Sequence, residues 1–190
     1  MLLIIHYVIA ALWLTLICYW VISARQAKPN ISRQQLYGLP LRLALMVLII
    51  VIVSTPQLRL WLRRAHTFVA DNVFIAFIGL LICALGCALA LAARVQLGRN
   101  WGMPMSQKLR AELVTGGPYA YARHPIYGGL MLALLGSALA ENLVWLLPFV
   151  LFTPYFVFSA RREEKLMLSL FPDAYRAYRQ HTKLLIPFVV

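Results

Sequence analysis

Long stretches without a charged side chain dominate the first half of the sequence. Leu2 to Ala24 and Asn72 to Ala93 contain no Lys, Arg, Asp or Glu, and each is long enough for a hydrocarbon core that needs about 20 residues. Leu43 to Leu58 is a shorter apolar stretch between Arg42 and Arg59, whose long side chains can reach the membrane interfaces. The pattern predicts three transmembrane helices in this half.

The second half has a longer apolar region, from His124 to Ala160, interrupted only at Glu141-Asn142. One helix of that length would run about 55 Å, whereas a bilayer core is about 30 Å thick. The region therefore predicts a helical hairpin, with spans Pro125 to Ala140 and Leu143 to Ala160. The expected fold is all-α: a polytopic membrane bundle of about five transmembrane helices, followed by C-terminal cytosolic helices.

Composition and charge agree with a membrane protein. Hydrophobic residues make up 62% of the chain, and 18 Lys and Arg stand against 6 Asp and Glu, a formal net charge of +12. Such a charge would suggest nucleic acid in a soluble protein, but all the basic residues except Arg59, Arg63 and Arg64 fall on one side of the predicted topology. The positive-inside rule then places the N-terminus outside and the C-terminus in the cytosol, and we expect anionic membrane lipids, not nucleic acid, as partners.

Small residues recur along one face of two predicted spans. They are spaced at i, i+4, i+7 and i+11, which lets two helix backbones approach closely, and they comprise Gly79, Cys83, Gly86 and Ala90 on one helix and Gly129, Ala133, Gly136 and Ala140 on the other. We expect these two faces to pack together. The cysteines Cys18, Cys83 and Cys87 all lie inside spans, so neither a disulfide framework nor a metal site is expected.

Polar residues concentrate in two stretches on one side of the membrane, and the first ends at His124-Pro125. A proline favours the first helical position and keeps the residue before it out of the helix. The exposed backbone N–H groups of that helix N-terminus, with Arg123 beside them, favour a bound anion such as a carboxylate. Gly116 and Gly117 predict a tight turn upstream.

The aromatic rings of the first stretch can stack on a ligand or donate hydrogen bonds to it; they belong to Tyr119, Tyr121 and Tyr127. In the second stretch, Glu163 and Glu164 project about 100° apart on a helix, so one is expected to face the bundle and the other solvent. Tyr175 and Tyr178 share a helical face.

Taken singly, each feature has a structural explanation. The arginines fit positive-inside anchors, the glutamates fit surface ion pairs that contribute little, and the tyrosines fit an interfacial aromatic belt. His124 fits a simple helix cap. The individual residues are therefore compatible both with these structural roles and with a ligand-binding site.

In combination, the segments LGRNW, ELVTGGPYAYARHPIYGG and EEKLMLSLFPDAYRAYRQHTKLLIP resemble the isoprenylcysteine carboxyl methyltransferase family and its phospholipid methyltransferase relatives. The resemblance covers about Gly98 to Pro187. It rests on RHPxY at Arg123 to Tyr127, then EExL at Glu163 to Leu166, then YxxY at Tyr175 to Tyr178. It implies one membrane domain over residues 1–190, with scaffold spans in 1–97 and a cofactor-binding and catalytic half in 98–190.

The resemblance implies S-adenosylmethionine as the cofactor, bound without a Rossmann sheet. Its motifs, together with the glycine turn and the two-tyrosine face, predict a cofactor site made of Gly117, Tyr119, Arg123, His124, Pro125, Tyr127, Glu163, Glu164, Tyr175 and Tyr178. The catalytic candidates are Arg123, Glu163 and Glu164, and no metal is expected. The implied setting is a prokaryotic inner or plasma membrane.

The implied methyl acceptor is a lipophilic molecule that enters from the bilayer. A prenylcysteine-like carboxylate is favoured, although Glu112 stands where isoprenylcysteine-specific members often carry a histidine, which leaves amine and thiol acceptors open. Pro148 and Pro154 can kink the last span and open a gap toward lipid. The alternatives are a membrane oxidoreductase similar to sterol reductases and a non-catalytic membrane protein.

Overall fold

The computed structural model describes residues 1–26, 72–101 and 112–185. They form five α-helices, which are α1 (Leu2–Ala24), α2 (Val73–Leu97), α3 (Pro125–Ala140), α4 (Leu146–Leu170) and α5 (Pro172–His181). Short 3-10 turns occupy Gly98–Asn100, Gly117–Ala120 and Leu143–Trp145. Within these ranges the structure confirms the all-α expectation.

Three segments are long and apolar enough to cross a bilayer: Leu2–Ala24, Val73–Asn100 and Leu143–Leu170. The shorter α3 forms a hairpin with α4, and the chain turns at Glu141 and Asn142 as predicted. The protein is thus an integral membrane protein, and four of the five expected spans are helical. The fifth, Leu43 to Leu58, lies outside the described residues.

The bundle is centred on the packing of α2 against α3. A Cβ atom on Gly86 would lie 2.4 Å from the backbone nitrogen of Ala133, and one on Gly136 would lie 2.2 Å from that of Cys83. These distances are far below ordinary contact, so the two backbones touch directly, without intervening side chains. The predicted pairing of the two small-residue faces is confirmed.

Helix α1 docks on this pair through aromatic and polar contacts. The indole N–H of Trp13 donates to Ser137 Oγ at 3.1 Å, and its ring stacks on Trp145 with centroids 5.6 Å apart. His6 Nδ1 lies 3.0 Å from Glu141 Oε1. Glu141, which the sequence analysis assigned only to a turn, therefore links α1 to the α3–α4 hairpin.

The opposite end of the bundle, called the site end below, is where α2 ends, α3 begins and α4 leaves its apolar segment. Helix α4 continues past Ala160 to Leu170, and Pro172 starts α5 at its first turn. Pro154 lies inside α4, and the hydroxyl of Thr153 donates to the carbonyl of Phe149 at 2.6 Å. The opening toward lipid at these prolines stays a prediction.

The packing of α2 on α3 can be tested by adding a side chain where the two backbones touch. Gly86→Leu should lower the thermal stability of the detergent-solubilised protein, because overpacking a close interface costs about 1–3 kcal/mol or more. Ala92→Leu places the same side chain at an exposed position of α2 and serves as the control. Equal melting temperatures for the two variants would contradict direct backbone contact.

Candidate functional site

The RHPxY segment turns into α3 as its sequence predicts. His124 is the N-cap, with φ −127° and ψ 59°, and Pro125 takes the first helical turn. Gly117, with φ +60°, opens the preceding 3-10 turn in a conformation that favours glycine. A Cβ on Gly117 would lie 3.3 Å from the Gln96 side chain, so this turn rests against the end of α2.

The chain after α5 pairs with the RHPxY segment. Ala122 and Lys183 form a parallel bridge, with the amide of Arg123 donating to the Lys183 carbonyl at 2.8 Å. A Cβ on Gly128 would lie 2.6 Å from the carbonyl oxygen of Leu185. This pairing was not predicted from the sequence, although a glycine in the first turns of a helix is a signal of close backbone approach.

Arg123 and Glu164 form the centre of the site. Arg123 Nε donates to Glu164 Oε1, and its Nη1 donates to the carbonyl of Thr182. Both side chains are nearly buried, at 10% and 11% exposed. Tyr175 donates its hydroxyl to the same carboxylate at 3.5 Å, and Arg179 Nη2 lies 3.7 Å from Glu164 Oε2. Glu164 thus joins α4 to the RHPxY segment and to α5.

Glu163 contacts the other side of the site. The Tyr127 hydroxyl donates to Glu163 Oε1 at 2.7 Å, and His124 Nδ1 lies 3.5 Å from Glu163 Oε2. The expectation that one of the adjacent glutamates faces solvent is therefore wrong. Both point into the bundle, because α3 packs on one flank of α4 and α5 on the other.

Aromatic rings extend the site from its polar end into the bundle. His124 stacks on Tyr127 with centroids 5.6 Å apart, Tyr127 stacks on Phe156 at 5.0 Å, and Phe156 stacks on Phe152 at 5.9 Å. The ring series runs along α4 toward its apolar segment. Tyr121, by contrast, is 61% exposed and takes no part in the series.

The tyrosines around the ion pair are held in their neutral form. Burial, followed by the nearby Glu163 carboxylate, raises the pKa of Tyr119, and burial with Glu164 raises the pKa of Tyr175. Burial raises the pKa of Tyr178 to about 12, although nearby Arg123 opposes the shift. The hydroxyl of Tyr178 donates to the carbonyl of Tyr119 at 2.5 Å. At neutral pH these phenols are hydrogen-bond donors.

Two buried polar atoms at the site have no hydrogen-bond partner among the described residues: His124 Nε2 and Ser159 Oγ. Buried polar groups are nearly always satisfied, so these atoms indicate a place for a polar ligand. A cavity of about 360 Å³ adjoins Arg123 and the segment from Arg179 to Leu184. No cluster of three or more His, Cys, Asp or Glu side chains suited to a metal occurs in the described ranges.

The structure therefore brings the expected site residues to one end of the bundle. Gly117 and Pro125 shape its backbone, and the polar side chains named above meet around α4; their roles toward a ligand stay predictions. Arg94, which the predicted topology places on the inner side with most of the basic residues, is only 1% exposed, because α2 carries it into the packed site end.

The raised pKa of Tyr178 predicts a loss of stability at alkaline pH. The unfolded chain ionises this phenol near its ordinary value of 10.0, whereas the folded protein does so only near 12, so the free energy of unfolding should fall as pH rises through that window. Tyr178→Phe should make the fall shallower in denaturant titrations at a series of pH values. The exposed Tyr121→Phe is the control, and an unchanged slope in Tyr178→Phe would contradict the shift.

Two curated proteins resemble more than half of the chain. The isoprenylcysteine O-methyltransferase of Schizosaccharomyces pombe is 38% identical over 110 residues, covering 55% of this chain and 46% of the relative. The cobalt-zinc-cadmium resistance protein CzcN of Cupriavidus metallidurans is 31% identical over 123 residues, covering 62% and 53%. The chain thus spans about half the length of the curated relatives it matches.

A solved structure of the eukaryotic intramembrane Ras methyltransferase ICMT aligns with a TM-score of 0.51 and 30% identity, over 61% of this chain and 43% of that one. The model of the phospholipid methyltransferase family matches residues 74–174. That match takes in α2, the RHPxY segment, α3, α4 and the start of α5, and exceeds half of the chain. The chain belongs to the phospholipid methyltransferase family.

Proposed function

We propose that the protein is an integral membrane methyltransferase that moves the methyl group of S-adenosylmethionine to a lipophilic acceptor, with a prenylcysteine-like carboxylate as the acceptor that fits best. The observation that carries the proposal is the buried network in which Arg123, His124 and Tyr127 meet Glu163 and Glu164. It lies where α3 begins and α4 leaves its apolar segment, within the region that matches the family.

The site suits a cationic, polar cofactor. Glu163 places at the network a carboxylate that Tyr127 and His124 orient, and this carboxylate can balance the positive charge of S-adenosylmethionine. His124 Nε2 is buried without a protein partner in the described ranges and can bond a polar group of the same ligand. When bound, the cofactor supplies a methyl group on a positively charged sulfur.

The protein's part in the reaction is to position the substrates and exclude water. Tyr127 and His124 fix the Glu163 carboxylate, and Arg123 fixes that of Glu164, so both charges are oriented before a ligand binds. Helix α5 and the segment paired to Ala122 cover the site. Holding two reactants in line is worth several kcal/mol in such displacements.

A carboxylate acceptor needs no general base. One oxygen–carbon bond forms as the sulfur–methyl bond breaks, the sulfonium charge and the carboxylate charge disappear together, and no proton moves. The neutral tyrosines of the site do not have to accept a proton in this reaction. An amine or thiol acceptor, in contrast, would have to lose a proton. This supports a carboxylate over the alternatives.

The basic residues also support an orientation with the N-terminus outside and the site in the cytosol. In that arrangement a soluble cofactor enters from water, and the acceptor enters laterally from the bilayer. The ring series from His124 to Phe152 offers an apolar route alongside α4. The membrane lipids are then both solvent and source for the acceptor.

Cofactor binding can be measured by titrating the purified protein with S-adenosylhomocysteine. Glu163→Gln should weaken binding about tenfold or more, because charged hydrogen bonds are worth about 1.5–3 kcal/mol, without unfolding the bundle. Asp173→Asn removes an exposed carboxylate on α5 and is the matched control. Equal affinities in both variants would contradict the assigned site, and binding of NADPH in place of S-adenosylhomocysteine would favour an oxidoreductase.

The acceptor class can be tested with a farnesyl thioether acid and its short-chain analogue. Burying each methylene in lipid contributes about 0.8 kcal/mol, so the membrane concentrates the long-chain acceptor before it reaches the site. At equal bulk concentration the farnesyl compound should be methylated faster by the reconstituted protein. Faster turnover of the short, water-soluble analogue would rule out entry from the bilayer.

A further inference from the structure

Arg94 is a buried cation in the last turns of α2. Its side chain is 1% exposed, although arginine is almost never fully buried without a partner. Among the described residues, no Asp or Glu forms an ion pair with it. Burying an unpaired charge costs several kcal/mol, so this position calls for an explanation other than membrane anchoring.

The guanidinium is held on one side and unpaired on the other. Its Nη1 donates to the carbonyl of Gly98 at 2.9 Å, and its central carbon lies 4.5 Å from the ring centroid of Trp101. Nε and Nη2 have no hydrogen-bond partner in the part of the chain that the structure describes. These two nitrogens form the edge that binds a carboxylate with two parallel hydrogen bonds.

Arg94 adjoins the candidate site. Its charge acts on the phenol of Tyr119, where it opposes the rise in pKa caused by burial. Two residues further along α2, the Gln96 side chain lies against the Gly117 turn. The guanidinium is therefore next to the 3-10 turn that leads into the RHPxY segment.

The arginine expected to receive a ligand carboxylate is already engaged. Arg123 donates through Nε to Glu164 and through Nη1 to Thr182. Arg94, with its bidentate edge unpaired, offers what Arg123 does not. Arg123 thus orients the carboxylate of Glu164. Arg94 has the geometry to bind a carboxylate that does not belong to the protein.

We propose that Arg94 is a substrate-binding residue whose Nε and Nη2 hold the carboxylate of one of the two substrates. The inference rests on the proposed methyl transfer. Both substrates carry the required chemistry, since the acceptor has a carboxylate to be methylated and the methionine part of the cofactor has another. The guanidinium stacked on Trp101 is fixed in orientation, so it selects a planar anion and not merely negative charge.

The test compares each carboxylate with an analogue that lacks it. In the acceptor arm, the farnesyl thioether acid and its carboxamide compete for binding with no methyl donor present; in the donor arm, S-adenosylhomocysteine is compared with its decarboxylated analogue. The wild type should prefer the acid in at least one arm. Arg94→Lys keeps the charge but loses the bidentate edge, and should reduce that preference about tenfold or more.

Two further variants separate binding from structure. Arg99→Lys makes the same change at an exposed position and should retain the wild-type preference. Arg94→Met removes the buried charge, so it should abolish the preference while its melting temperature stays at or above that of the wild type.

Loss of preference in the acceptor arm assigns Arg94 to the acceptor, and loss in the donor arm assigns it to the cofactor. Wild-type preference retained in Arg94→Lys and Arg94→Met in both arms would overturn the inference while leaving the methyltransferase proposal intact. A wild type that binds none of the four compounds would overturn the proposed function, and the inference with it, before any variant is compared.

Discussion

Direct backbone contact between α2 and α3 is the constraint on which the rest of the structure depends. With only hydrogen at Gly79, Gly86, Gly129 and Gly136, the two helices approach until their main chains touch. Lipid offers little hydrophobic drive for helix association, so close packing of this kind supplies the attraction. The contact also sets the distance between the end of α2, which carries Arg94, and the start of α3, which carries His124.

Beside the packed helices α2 and α3, ion pairs and hydrogen bonds to two carboxylates organise the site. Glu164 is surrounded by Arg123, Arg179 and a tyrosine hydroxyl, and Glu163 by Tyr127 and His124. Such satisfied networks are rigid, because breaking any member leaves a buried charge unpaired. Among the described residues, His124 and Arg94 have buried nitrogens without a hydrogen-bond partner, and these are the atoms to which the proposed ligands would bind.

The same arrangement suits a reaction that needs positioning more than proton transfer. The tyrosines stay neutral over the physiological range, and the proposed carboxylate acceptor would arrive already ionised. The chain spans about half the length of its curated relatives, yet it includes both motif segments and the helices that hold them. A small helical bundle can therefore hold the elements of the proposed methyl-transfer site.

The sequence by itself determined four of the five predicted spans, the hairpin at Glu141, the start of α3 at Pro125 and the matching small-residue faces, because each depends on local periodicity or on one residue's backbone geometry. It also identified the motifs of the site. Only the tertiary structure decided that both Glu163 and Glu164 point inward, that the chain after α5 pairs with Ala122, and that Arg94 is buried. Those outcomes depend on which elements flank a helix, and contacts between residues far apart in the chain leave no periodic signal in it.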